Sequence, residues 1–281
     1  MCIHDATYYD LDCQFDVGHW TREGLLRDEF LPKLVAELHA IHKSIEESGI
    51  PYETIKYGPH ERQEIYVWGD VSTAQTLLIY VHGGYWSAGT AKSGAFVAPN
   101  LLEHGIATAA IGFQLAGPEK RISEIVADNI EAVKIILDKW PLQRIVMCGY
   151  CSGAQIAVKV ISSLRSPRLS HFLSLGGVFK VVEFVDAKLV ERCKMTRDEA
   201  EEITCRPHEF PEGVRVHFIA AGLDSPIFKR QTLKYYEGVK ECGIDATLEV
   251  VTGANHFDIG GRAAPGAAFI NFCIDRSDSN I

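Results

Sequence analysis

The sequence predicts an α/β fold with a mostly parallel central sheet of about eight strands. Three observations carry this expectation: eight short β-rich runs, several of them apolar throughout; helical stretches between the runs; and chemistry-bearing residues set just after them. Strands covered on both faces read as unbroken apolar segments. Alternation of strand and helix implies right-handed crossovers, a parallel sheet and helices on both of its sides.

The first element is helical. Between residues 25 and 46, Leu31, Leu34, Val35, Leu38, Ile41 and Ile45 recur at three- and four-residue spacing, which is one face of a helix, and Pro32 predicts that the helix starts near there. This N-terminal helical segment, residues 19–48, is expected to dock on the core. From residue 51 the pattern changes: "YETIKYG" and "EIYVWGD" read as two edge strands, followed by "TLLIYVHGG", "IATAAIGF", "RIVMCGY", "HFLSLGG", "VRVHFIAAG" and "ATLEVVTG". Helices are expected near 92–104, 122–139, 152–165, 227–242 and 263–275. Residues 180–212 are charged and helical with no strand of their own, and read as a cap-like insertion beside a site. The 281 residues, 47% hydrophobic and 23% charged, suffice for one globular domain, 1–281, with a large core.

Composition excludes several function classes. A net charge of -9 with no block of Lys or Arg offers no electrostatic footprint for nucleic acid or an anionic membrane. The N-terminal "MCIHDATYYDLDCQFDV" lacks the apolar core of a secretory signal. No run approaches the ~18 apolar residues of a membrane span. Eight cysteines spread along the chain argue for free thiols in a reducing compartment, so a cytoplasmic location is expected. Small molecules or proteins remain as partners; a homodimer is compatible with the sequence, which does not set the oligomeric state.

The stretch "VMCGYCSGAQ", residues 146–155, has two readings. Cys148 and Cys151 form a C-x-x-C that in a thioredoxin-like turn carries a redox dithiol. That unit has few strands, whereas this turn falls in the middle of a sheet of about eight, and one C-x-x-C without a second pair is weak evidence for a metal. Shifted by one residue, Gly149-Tyr150-Cys151-Ser152-Gly153 is the G-x-S-x-G nucleophile elbow of an α/β-hydrolase, with cysteine in place of serine. The elbow demands small residues two positions either side of the nucleophile, and Gly149 and Gly153 stand there. Cys148 then points into the core and Cys151 faces the cleft.

A nucleophilic thiol needs a base, and the base an orienting acid, in the chain order nucleophile, Asp or Glu, His. Asp224 in "FIAAGLDSP" follows one strand and His256 in "TGANHFDI" follows the last, with Asp245 and Asp258 as alternative carboxylates near that end. "HGGYW", residues 82–86, follows a central strand where this fold puts its oxyanion loop, and its glycines let backbone amides approach a ligand.

His82-Gly83-Gly84-Tyr85-Trp86, "GYCSGAQIA", "GGVFKVVEF", "TRDEAEEITCRPHEF", "GLDSPIFKRQT" and "NHFDI" together resemble the kynurenine formamidases (arylformamidases) over about residues 50–260. The resemblance implies the α/β-hydrolase fold, hydrolysis of N-formyl-L-kynurenine to L-kynurenine and formate in tryptophan catabolism, and neither cofactor nor metal. By position it implies Cys151 as nucleophile, Asp224 as acid and His256 as base. The amides of Gly84, Tyr85 and Ser152 would form the oxyanion hole, His82 and Trp86 would brace the loop, and Tyr85 and Phe257 would flank an aromatic substrate or pack the core. Two departures stand out: Cys151 where the family pattern has serine, and "GFQLAG", 112–117, with Phe113 and Gly117 where relatives carry Tyr and Pro. A hydrolase of another ester or amide, and a silent binding protein that has lost its serine, are the alternative functions.

Overall fold

The computed structural model describes residues 11–21, 27–141, 144–262 and 266–274. Eight strands form one sheet: β1 Tyr52–Lys56, β2 Glu64–Trp68, β3 Thr76–Val81, β4 Ile106–Ile111, β5 Ile145–Tyr150, β6 His171–Leu175, β7 Arg215–Ala221 and β8 Ala246–Val251. Their order is β1-β2-β4-β3-β5-β6-β7-β8; every neighbouring pair from β4 to β8 is parallel, and β2 runs antiparallel to β1 and β4. The helices are α1 Leu11–Phe15, α2 Arg27–Glu47, α3 Ala98–Leu102, α4 Ile122–Lys139, α5 Ser152–Leu164, α6 Arg197–Ile203, α7 Pro226–Glu241 and α8 Ala267–Ile274.

The apolar runs of β3, β4 and β6 are buried along their whole length, and period-two alternation divides them between two cores. In β3, Leu77, Ile79 and Val81 join one core while Leu78 and Tyr80 join the other. The rims β1 and β8 keep partly exposed faces. Only one of the two expected edge strands is an edge. β2 lies between β1 and β4, because its Ile-Tyr-Val-Trp run is apolar on both faces and needs cover on both.

Pro32 lies inside α2 rather than at its start. It is the sixth residue of the helix, so the N–H it lacks removes one bond, to the carbonyl of Asp28 in the first turn, and the helix continues. The helix expected near 92–104 is two pieces, a 3-10 segment Ala91–Phe96 and the short α3. A Cβ at Gly94 would press on Ala110, so this segment lies directly on the sheet.

Residues 180–212 contain the 3-10 turns Val181–Phe184, Lys188–Cys193 and Pro207–Glu209 besides α6, and no strand. Glu199 Oε1 fastens the stretch to the start of α4, accepting from the amides of Ile122 and Ser123 at 3.0 and 3.3 Å, and Thr204 Oγ1 holds it together internally, accepting from Val181 N at 3.0 Å. Among the described residues no helix is long and apolar enough to cross a membrane.

Candidate active site

The turn from β5 to α5 places Cys151 at φ 54°, ψ -122°, a conformation that costs an L-residue about 1–3 kcal/mol. Its backbone is tied on both sides: the amide donates to Leu175 O at 2.9 Å, and the carbonyl accepts from Ala154 N and Val178 N, each at 3.1 Å. A Cβ at Gly149 would collide with Ala154, and one at Gly153 with the carbonyls of Val81 and His82, so the turn closes only with glycine at both places. Cys148 belongs to the opposite core with Tyr80, Leu173 and Cys273, where burial pushes its thiol pKa well up. Both Cys148 and Cys151 are free thiols on different faces of the sheet, an arrangement that gives the dithiol reading no support.

Asp224 and His256 come together at the same sheet edge. His256 Nδ1 donates to Asp224 Oδ2 at 2.6 Å, and Asp224 Oδ1 accepts from Ser225 N at 2.8 Å, with both side chains buried. Burial disfavours the imidazolium, but the facing Asp224 carboxylate and the Cys151 sulfur outweigh it and raise the His256 pKa above its ordinary value. Nε2 is buried without a hydrogen-bond partner. Phe228 and Tyr150 hold the ring, with centroids at 4.8 and 5.1 Å.

The alternative carboxylates are otherwise engaged. Asp258 Oδ2 accepts from Asn255 N at 2.9 Å while Asn255 Oδ1 accepts from the amides of Phe257 and Asp258, so this pair shapes the turn that carries His256. Asp245 is corrected outright. It precedes β8 instead of following it, at the opposite end of the sheet, where it bonds Arg215 at 2.9 Å with a side chain 63% exposed.

The loop after β3 passes over Cys151. A Cβ at Gly83 would lie 2.7 Å from the Cys151 Cβ, so glycine sets how closely loop and nucleophile position approach. Gly84, Tyr85 and Trp86 all take positive φ, at 117°, 52° and 59°. Among the described residues neither the Gly84 nor the Ser152 amide donates a hydrogen bond, which leaves a buried donor at Ser152 and a partly exposed one at Gly84. The Ser152 hydroxyl is turned to the loop, accepting from Trp86 N at 3.4 Å. Trp86 Nε1 donates to Gln155 Oε1 at 2.9 Å, and Gln155 Nε2 to Ile203 O at 3.1 Å, joining loop, α5 and α6. His82 stacks on Phe113 at 4.2 Å and donates through Nδ1 to Gly83 O at 2.8 Å.

Comparison with known proteins agrees with this fold. Residues 78–204 match the model of a family with the alpha/beta hydrolase fold. The chain is 23% identical to the kynurenine formamidase of Danio rerio over 270 residues, 89% of each chain, and 23% identical to that of Salmo salar over 91% of each. The chain has the α/β-hydrolase fold and is similar to kynurenine formamidases. The hydrolase also superposes on the structure of a candidate thioesterase from Silicibacter sp. TM1040 with TM-score 0.78 and 21% identity, over 94% of this chain and 99% of that one. An arylesterase structure superposes with TM-score 0.63 and 15% identity, over 85% and 87%.

A cavity of about 280 Å³ opens onto Cys151 and His256 of the hydrolase. Its walls include Leu34, Val35 and Leu38 of α2, Val17, and Tyr150 and Tyr85, whereas the 180–212 stretch contributes Leu189 alone among the described residues. Phe257 lines the cavity; Tyr85 does too, but its hydroxyl donates to Phe15 O, so its ring is anchored to the N-terminal segment. Sequence reasoning missed the walls from α2 and the tyrosine beside the nucleophile. The stripe Leu34–Leu38 was visible, but its partner across the fold was not. Among the described residues no cluster of three His, Cys, Asp or Glu side chains is placed to hold a metal.

Burial holds the His82 pKa near 4, against an ordinary value of 6.5, overcoming the bond to Gly83 O that favours the charged form. Between those values the unfolded chain takes up a proton that the folded one refuses, so His82 lowers stability as pH falls through this window. His82→Gln is expected to remove up to about 3 kcal/mol of the acid-induced loss between pH 6.5 and 4, measured as the difference in urea-unfolding free energy across that range.

Proposed function

We propose that this hydrolase cleaves N-formyl-L-kynurenine to L-kynurenine and formate in tryptophan breakdown. The reading rests on one observation: Cys151, His256 and Gly84 line one cavity of about 280 Å³, with Asp224 bonded to His256 and the unpaired Ser152 amide next in the chain to Cys151. His256 accepts the thiol proton, and Cys151 Sγ attacks the formyl carbon. The amides of Gly84, Tyr85 and Ser152 receive the oxyanion; such donors are worth roughly 2.7–4 kcal/mol each. The imidazolium, favoured by Asp224, then protonates the departing aryl amine. Water activated by the same imidazole hydrolyses the formyl thioester and restores the thiol. Residues 180–212 act as a cap that braces the oxyanion loop through Gln155. All seven described cysteines carry free thiols, in keeping with a cytoplasmic setting.

The test is hydrolysis of N-formyl-L-kynurenine by the purified chain, followed by release of formate. Turnover supports the reading; cleavage of aryl acetates without cleavage of the formamide contradicts it. The largely apolar walls favour an esterase as the second reading, which that pair of substrates separates.

A further inference from the structure

One carboxylate at the cavity has no part in the chemistry above. Asp16 lines the cavity together with Cys151 and His256. Its position is fixed through the residue before it, since Phe15 accepts from the Tyr85 hydroxyl of the oxyanion loop and its ring lies 4.3 Å from Phe184. Asp16 is thereby held one residue away from the loop that passes over the nucleophile.

Its two oxygens have different duties. Oδ1 accepts from Gly18 N at 3.1 Å and caps the 3-10 turn Val17–Trp20. Oδ2 faces His19 Nε2 at 3.7 Å, beyond the 2.7–3.2 Å of an N–H···O bond. This oxygen therefore keeps lone pairs for another donor. The side chain is only 17% exposed, and partial desolvation strengthens a charge-assisted bond. The charged groups at the cavity among the described residues are this carboxylate and His256, so a substrate arm bearing positive charge is favoured there.

We infer that Asp16 recognises a cationic amino group on the substrate's arm while Cys151 works on the formyl carbonyl in the same cavity. This deepens the proposed function and rests on it: N-formyl-L-kynurenine carries such an ammonium on the arm of its single ring. Asp16 sets specificity by binding and takes no part in the covalent steps.

The experiment is equilibrium binding, by calorimetry, of two arylamines to the whole chain and to Asp16→Asn. The probes are kynuramine, which carries the ammonium, and ortho-aminobutyrophenone, in which a methyl group replaces it. Asparagine keeps an oxygen for the Gly18 cap, so only the charge is lost. The native chain is expected to bind kynuramine about 10- to 100-fold more tightly than the neutral probe. Asp16→Asn is expected to erase that preference with the affinity for ortho-aminobutyrophenone unchanged, which also reports an intact cavity. Equal affinities in the native chain, a variant that weakens both probes alike, or no binding of either overturns the assignment. Binding needs no turnover, so failure to hydrolyse N-formyl-L-kynurenine sinks the formamidase reading separately from this one.

Discussion

Cys151→Ala is expected to lower kcat on any substrate of this hydrolase by roughly 10⁴- to 10⁶-fold, the range seen when a triad loses its nucleophile. The expectation follows from position as much as from chemistry. Among the described residues Cys151 carries the one thiol that lines the cavity and faces the imidazole. Ser152 is no substitute, since its hydroxyl points to Trp86 N. Alanine takes the same strained backbone as cysteine, so melting temperature is expected to stay within a few degrees and the lost activity reports chemistry. Paired kinetics and thermal melts check this, and activity surviving at a tenth of the native rate contradicts it.

Asp224→Asn is expected to cost roughly 10⁴-fold in kcat, because an amide nitrogen facing Nδ1 enforces the wrong imidazole tautomer. In the native pair Nδ1 carries the proton toward Asp224 Oδ2 and leaves Nε2 as the acceptor facing the thiol. With asparagine the proton moves to Nε2, and the base is lost. The carboxylate that raises the His256 pKa disappears as well, so the imidazole charges at lower pH than in the native chain. Asp258→Asn is the matched control. Asp258 shapes the turn through Asn255 N, so its variant is expected to shift stability and leave the tautomer alone. Single-turnover rates across pH for the two variants check both statements.

The strands were legible because burial on both faces writes itself as uninterrupted apolar runs, as in "TLLIYV" of β3 and "IATAAI" of β4. The site was legible for a different reason. In a parallel sheet the strand ends on one edge converge, so a nucleophile, an acid and a base lying just after strands meet without further information. Asp245 shows the limit of that rule: it borders β8 too, but at its beginning. The walls of the cavity were not legible. Leu34, Val35 and Leu38 share a cavity with Cys151 across more than a hundred residues of chain, and a helical stripe states that it packs without stating against what. Likewise the place of β2 inside the sheet depended on β1 covering it, and the passage of α2 through Pro32 on the loss of a single first-turn bond.

The central claim, that Cys151 is the nucleophile, is tested most directly by rapid quenching of a reaction with 4-nitrophenyl acetate, followed by mass spectrometry of the digested protein. The account predicts an acetyl group on the peptide bearing Cys151, released by hydroxylamine and absent in Cys151→Ala. Turnover with no adduct at Cys151, or an acetyl group retained in Cys151→Ala on Ser152, contradicts it.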